Sequence, residues 1–327
     1  MAQPTGTFST YAAKGIRENL ADIISNISPI DTPFVSNVGS DTCDNTYYEW
    51  QTDALASVNT ANAALEGGDA IMVTSTPTTR LGNYTQISTK NVTVSGTVER
   101  VKKAGRKSEL AYQLAKRGSE LKRDLEAIAC SGQVAVPGND TTARNTAGFE
   151  CFITTNTVRG AGGADPNYSG GVAGNGLGSG YPNTAATAGT PVAISETNFK
   201  LMLQKQWTNG GKADLVLCGP TTKTKISGFN GIATRYRDVP AGQQASIVGA
   251  ADVYVSDFGE VTIVPSRFKG ETTMQAIDTE YVKIVKLRDF FTIDLAKSGD
   301  SEKKQMLVEW GMKVLNPLAH AIYADFN

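Results

Sequence analysis

The stretch VSGTVERVKKAGRKSELAYQLAKRGSELKRDLE, residues 94–126, decides the reading because the apolar period changes inside it. Up to Val98 the chain alternates with the period of two that marks a strand. From Arg106 onward Leu110, Leu114, Leu121, Leu125 and then Ile128 follow at steps of 4, 7, 4 and 3, which puts them on one face of a helix. The opposite face carries Lys107, Lys116, Arg117, Lys122, Arg123 and Glu126 and reads as a solvated surface, not a nucleic-acid groove. About 24 residues at about 1.5 Å each make a rod roughly 35 Å long. Gly118, in its middle, costs up to about 1 kcal/mol relative to alanine, which predicts a close neighbour at that point.

Upstream, TTRLGNYTQISTKNVTVSGTVERV (78–101) sets Tyr84, Gln86 and Ser88 against Thr85, Ile87 and Thr89, and continues through Val92, Val94 and Val98. TYYEW (46–50) reads as a second strand. Between them lies TDALASVNTANAALEGGDA (52–70), small and polar, with a turn signal at Gly67–Gly68. The pattern predicts an extended two-stranded ribbon over residues 50–100 with almost no core of its own. Arms of about 20 residues would reach roughly 65 Å, and an isolated hairpin is marginal in water. Further upstream, residues 10–27 space Ile16, Leu20, Ile23, Ile24 and Ile27 as a short helix. NISPIDTPFVSNVG (26–39) follows, with Ile27, Ile30, Phe34, Val35 and Val38 needing burial while Pro29 and Pro33 disfavour a helix. It predicts an extended, apolar arm. Arm and ribbon both need a surface to lie against.

Downstream, RGAGGADPNYSGGVAGNGLGSGYPNTAATAGT (159–190) is glycine-rich and reads as a surface insertion. Gly174 and Gly176 are followed by Ser179, so no dinucleotide fingerprint forms. A small α/β unit comes next. Ser195 is the N-cap candidate of a helix bearing Phe199, Leu201, Met202 and Leu203, KADLVLCG (212–219) is a buried strand, and Pro220 opens another helix. Gly219–Thr224 lacks the spacing of a phosphate loop and is taken as that helix start. ADVYVSDFGEVTIVPSRF (251–268) is a strand pair about Phe258–Gly259. The tail alternates through Val282, Ile284 and Leu287, turns at Ser298–Gly299–Asp300, resumes with Met306, Val308, Trp310, Met312 and Val314, and breaks at Asn316–Pro317.

Composition narrows the function. The 327 residues carry 31 basic and 32 acidic side chains, net −1, and only 19% are charged, against roughly 25% in ordinary soluble domains. A dedicated nucleic-acid binder needs a basic field that this balance lacks. Cys43, Cys130, Cys151 and Cys218 are far apart and read as free thiols. The first residues show no signal-peptide pattern, and no apolar run approaches the roughly 18 residues of a membrane span. His320 is the sole histidine, so every triad, Cys–His dyad or histidine metal site would have to use it; a hydrogen-bonded structural histidine is the expectation. The acidic pairs Glu99/Glu109 and Asp289/Asp294 read as solvated groups or ion pairs. No catalytic, cofactor or metal site is expected, and the chain is not expected to be an enzyme.

Several segments, taken in order, carry a resemblance: ISPIDTPF (27–34), EWQTDAL (49–55), ALEGGDA (64–70), TTRLGNYTQIS (78–88), VSGTVERV (94–101), KKAGRKSELAYQ (102–113), ELKRDLE (120–126) and AKSGDSEKKQMLVEWGMKVLNP (296–317). With the order of elements, they make the chain resemble a tailed-bacteriophage major capsid protein of the Hong-Kong-97-type α+β fold. The resemblance implies an N-terminal arm (1–46), an extended β-hairpin loop (47–101), and a peripheral domain with a long spine helix (102–191, holding the insertion 159–190). It also implies an axial α/β domain (192–280) and return strands of the peripheral domain (281–327). It implies a self-assembling shell protein forming hexamers and pentamers of an icosahedral head around double-stranded DNA, contacted non-specifically. Partners would be a separate scaffolding protein, a portal and a decoration protein, with no membrane, and assembly would take place in the host cytoplasm. The assembly interface implied is Ile27, Pro29, Ile30, Pro33 and Phe34 of the arm and Glu66, Asp69, Arg80 and Tyr84 of the loop, with Glu66 or Asp69 pairing to Arg80. An encapsulin-like compartment shell is the alternative. Some members of the fold weld their shells by joining a loop lysine to an asparagine. Residues 51–89 contain no lysine, so a non-covalent shell is expected.

Overall fold

The change of period at Arg106 becomes a helix start. Ser108 accepts a hydrogen bond from the Ala111 N–H at 3.1 Å, and the helix runs from Glu109 to Ala129. Its stripe is inward as expected: Leu110, Leu121 and Leu125 are buried, and Leu114 and Ile128 pack at the edges of the apolar clusters. Gly118 does have a near neighbour, since an added Cβ would lie 3.5 Å from the Met306 Sδ and Cε atoms.

The computed structural model describes residues 31–56, 58–69, 77–169, 180–229 and 253–327. The helix expected at 10–27 and the arm residues Ile27, Pro29 and Ile30 lie outside them. In chain order the elements are α1 (Pro33–Asn37), β1 (Gly39–Thr42), β2 (Tyr47–Thr52), β3 (Thr79–Tyr84), β4 (Gln86–Ser95), α2 (Gly96–Arg100), α3 (Glu109–Ala129), β5 (Thr157–Val158), β6 (Asn167–Tyr168) and β7 (Pro182–Thr184). Then come α4 (Glu196–Thr208), β8 (Leu215–Cys218), α5 (Pro220–Ser227), β9 (Val253–Ser256), β10 (Gly259–Pro265), β11 (Thr273–Ile277), β12 (Val282–Asp294), β13 (Ser301–Val314) and β14 (Ala321–Ala324).

Two sheets carry the fold. One has the order β1-β12-β13-β4 and the other β5-β14-β11-β8-β10-β9. The six-stranded sheet is covered on both faces. Leu215 and Leu217 of β8 join the apolar cluster around α3 and the long strands, while Val216 and Cys218 join the cluster beneath α4 and α5. That is why KADLVLCG lacks alternation. Ser195 caps α4 through the Asn198 N–H, and Gly219 precedes α5 with Pro220 at its first turn. The strand turns fall as read, with Gly259 at φ 130° and Gly299 at φ 75°.

The two-stranded ribbon is much shorter than expected. β2 and β3 pair over six residues, from Tyr47↔Tyr84 to Thr52↔Thr79. Beyond Thr85 the chain leaves this ladder, and β4 pairs with β13 from Ser95↔Ser301 to Gln86↔Trp310. Alternation identified the strand but not its partner. The partner was chosen by packing: Val92 and Val94 sit on α3 beside Leu110, and the Trp310 indole donates to the Ser88 hydroxyl at 3.1 Å. The tail also divides. β12 and β13 lie in the four-stranded sheet, whereas β14 pairs with β11 and β5 in the other one.

The glycine-rich stretch is anchored at both ends. Gly82 N–H donates to Gly180 O at 2.8 Å and Gly180 N–H to Arg80 O at 2.9 Å. Tyr168 is buried and donates its hydroxyl to Phe152 O at 2.7 Å. Gly180 thus extends the edge of β3, and Tyr181 packs on Tyr47 and Tyr84.

Candidate assembly interface

The arm behaves differently from its sequence reading. Pro33 opens a short helix, α1, at its first position, where proline's missing N–H costs nothing. Phe34, expected at the contact between copies, is wholly buried in its own chain, edge-on to Phe149 at 5.7 Å between centroids. Glu126 of α3 holds it there: one carboxylate oxygen accepts the Phe34 N–H at 2.8 Å and the other the Val35 N–H at 2.9 Å. Glu126 therefore does not lie on the solvated face; it is fully buried. Burial pushes its carboxyl up from the ordinary value, and the two N–H donors pull the other way. The rule that marked Pro220 as a helix start would have marked Pro33. Nothing local marked Glu126, since its partners stand about ninety residues earlier.

The loop residues are not gathered into one cluster. Arg80 pairs with Glu49 on the neighbouring strand, and neither Glu66 nor Asp69 is its partner within the chain. Tyr84 is half-buried against Tyr47 and Tyr181, at 4.7 and 5.0 Å between centroids. Glu66 and Asp69 are exposed at the loop turn, where Gly67 takes φ 76° and the Gly68 N–H donates to Leu65 O at 3.1 Å. Every described residue from 53 to 69 is exposed. Leu55, Val58 and Leu65 reach 100%, 91% and 87% exposure, three large aliphatic side chains in one loop with nothing over them in the chain. The sequence reading missed these three and named their charged neighbours instead.

Groups that could carry chemistry are occupied structurally. The Glu99 carboxylate accepts the Glu109 and Leu110 N–H groups at the start of α3, and Ser108, whose hydrogen bond is the largest cause, holds its pKa below the usual value. Asp289 pairs with Lys286 and Asp294 with Lys304. The Glu271 carboxylate accepts the Thr221 and Thr222 N–H groups at the start of α5, so that helix end already holds its own anion. His320 is fully buried, its Nδ1 accepts the Asp278 N–H at 3.2 Å, and the Tyr281 backbone also bonds the ring, so it is held structurally. Burial lowers its pKa to about 3. Among the described residues no group of acidic, cysteine and histidine side chains could hold a metal ion.

The overall fold is shared with solved capsid proteins. The chain superposes on the cyanophage A-1(L) capsid asymmetric unit with a TM-score of 0.66 at 12% identity, covering 97% of this chain and 98% of that one. The capsid of a native GTA particle gives 0.61 at 12% identity, covering 97% and 98%. The class is therefore the Hong-Kong-97-type phage capsid fold. Within it, the family model of the SU10 major capsid protein matches residues 3–327, and the chain belongs to that family. A major capsid protein of Escherichia phage Phieco32 is 31% identical over 353 residues, covering 98% of this chain and 97% of that protein. This is a phage major capsid protein, a structural component of the virion, and the compartment-shell alternative is not favoured.

Proposed function

We propose that the chain assembles, without a catalytic role, into hexamers and pentamers of an icosahedral head around double-stranded DNA. In this reading residues 53–69 and the arm up to Ile30 bury on neighbouring copies, residues 192–280 meet around the capsomer axis, and a scaffolding protein, portal and decoration protein take part in the host cytoplasm. The near-neutral chain contacts DNA non-specifically. The observation that carries the reading is the near-complete exposure of Leu55, Val58 and Leu65 in one loop, since burying each is worth about 1.5–3 kcal/mol and repetition by symmetry multiplies it.

Sedimentation and negative-stain microscopy of the purified chain with scaffolding protein test it: rings or closed shells are expected, and a lone monomer at high concentration overturns the reading. The shell is held by non-covalent contacts. A lysine amine must lose its proton to attack a carboxamide, and the sole cation of residues 51–89, Arg80, stays protonated. Particles boiled in detergent should run as one band near 34.6 kDa; a ladder resistant to reductant would show a covalent weld.

A further inference from the structure

The net charge of −1 hides a local imbalance. Residues 90–123, which run from β4 through α2 into α3, hold ten cations and three acids, leaving 21 of the 31 cations and 29 of the 32 acids to the rest of the chain. Cations gathered along one helix and the turn before it are the electrostatic footprint of a nucleic-acid surface, whatever the total charge.

Five of the ten cations are engaged within the chain. Lys90 pairs with Asp124, Lys103 with Glu99, Arg106 with Glu109 and Arg117 with Glu120, and the Arg123 guanidinium lies over the Phe268 ring at 5.4 Å from its centroid. These pairs occupy all three acids of the segment, and Glu99 also accepts the Glu109 and Leu110 N–H groups. Arg100, Lys102, Lys107, Lys116 and Lys122 remain. All five are exposed and form no ion pair among the described residues. Lys116 and Lys122 flank an exposed arc of α3 made of Ala111, Ala115 and Ser119, so no bulky side chain there holds a large partner off. From Lys107 to Lys122 the row is roughly 22 Å long at about 1.5 Å per residue, the length of about six phosphates on one strand of a duplex at about 3.4 Å each.

We propose that the strip formed by the turn 100–107 and the exposed face of α3 binds the phosphates of duplex DNA through Arg100, Lys102, Lys107, Lys116 and Lys122. This rests on the assembly reading above and names the surface through which each copy meets the packaged DNA. No ion pair among the described residues has to break for these five to reach phosphates. The contact is to backbone charge and not to base edges, so it is independent of sequence and falls steeply with salt as counterions are released. One copy contributes a weak contact, and neighbouring copies along the same duplex add to it.

The test is the salt dependence with which the full chain binds a short duplex of random sequence, read by fluorescence anisotropy. Wild type should lose affinity with a log–log slope of about −4 to −5, at about −0.9 per phosphate contact. Lys102→Gln with Lys107→Gln should make the slope shallower by about 2 and weaken binding at least tenfold at low salt. Its melting temperature should be unchanged, because both positions are exposed. Lys212→Gln with Lys225→Gln removes two exposed cations elsewhere and should change neither slope nor affinity. A wild-type slope near zero, or equal losses in the two double variants, overturns the proposal. So does an unchanged slope in the Lys102 and Lys107 variant; if that variant instead loses binding to a glutamate-rich peptide, the strip receives an acidic protein segment. Negative-stain microscopy separates the proposal from the assembly reading. The Lys102 and Lys107 variant should form shells as wild type does, and loss of shells with unchanged duplex binding would make the strip a contact between copies and overturn the proposal. Failure of the wild type to form shells defeats the assembly reading, while the duplex measurement still decides the strip.

Discussion

Two segments of this chain share one feature in sequence and end in opposite places. The apolar arm around Phe34 and the small, polar loop that carries Leu55 and Leu65 both lack a core of their own. Phe34 is wholly buried within the chain, and Leu55 is wholly exposed. What separates them is a distant group: Glu126 reaches the N–H groups of Phe34 and Val35 and fixes a short helix end against α3. Among the described residues no such group reaches 53–69. An apolar irregular segment thus announces a need for burial without saying whether the same chain meets it.

Substitution should separate the two sharply. The double change Leu55→Ser and Leu65→Ser should abolish ring and shell formation while leaving the monomer's melting temperature unchanged. Phe34→Ala should do the reverse, costing about 3–5 kcal/mol of folding stability before assembly begins. Sedimentation and thermal melts on both variants read the pair, and a destabilised monomer in the loop variant would break the comparison. Within α3 the contrast repeats at adjacent residues. Leu121 is 1% exposed and Lys122 is exposed, so Leu121→Asp buries an unpaired charge at a cost of several kcal/mol, whereas Lys122→Asp should stay within about 0.5 kcal/mol. Equal melting temperatures would remove the stripe.

The interior histidine sharpens the same point with pH. The folded state keeps His320 neutral, its pKa lowered to about 3 by burial, while the unfolded chain takes up the proton near pH 6.5. Stability from this group is present above pH 6.5 and is lost as pH falls from there toward 3, at about 1.4 kcal/mol per pH unit. His320→Gln should flatten that part of the stability curve relative to wild type in denaturant titrations. A wild-type slope no steeper than the variant's would show that the site admits the proton. The smallest expected effect is at Gly118. An added methyl would meet Met306 at an ordinary 3.5 Å, so Gly118→Ala should raise stability by up to about 1 kcal/mol; a loss would mean that Met306 cannot accommodate it.

Elements with a local cause were legible in the sequence. The helix from Glu109 to Ala129 follows from its leucine spacing and the Ser108 cap, the start of α5 from Pro220, and the turns at Gly259 and Gly299 from residues that tolerate positive φ. The leucine-bearing loop was visible as a segment without a core. Partnership was not. Period-two alternation is the same whether β4 pairs with β3 or with β13, and only the packing of Val92 and Val94 onto α3, with Ser88 at Trp310, selects the second. Glu126 read as one more charge on a solvated face because its meaning lies in two N–H groups far away in sequence. The sequence by itself determined which segments are strands, rods and turns, since those depend on neighbours within a few residues. The tertiary structure decided which of the apolar segments is satisfied inside the chain and which is left for another copy, because burial is settled by whatever surface arrives from elsewhere.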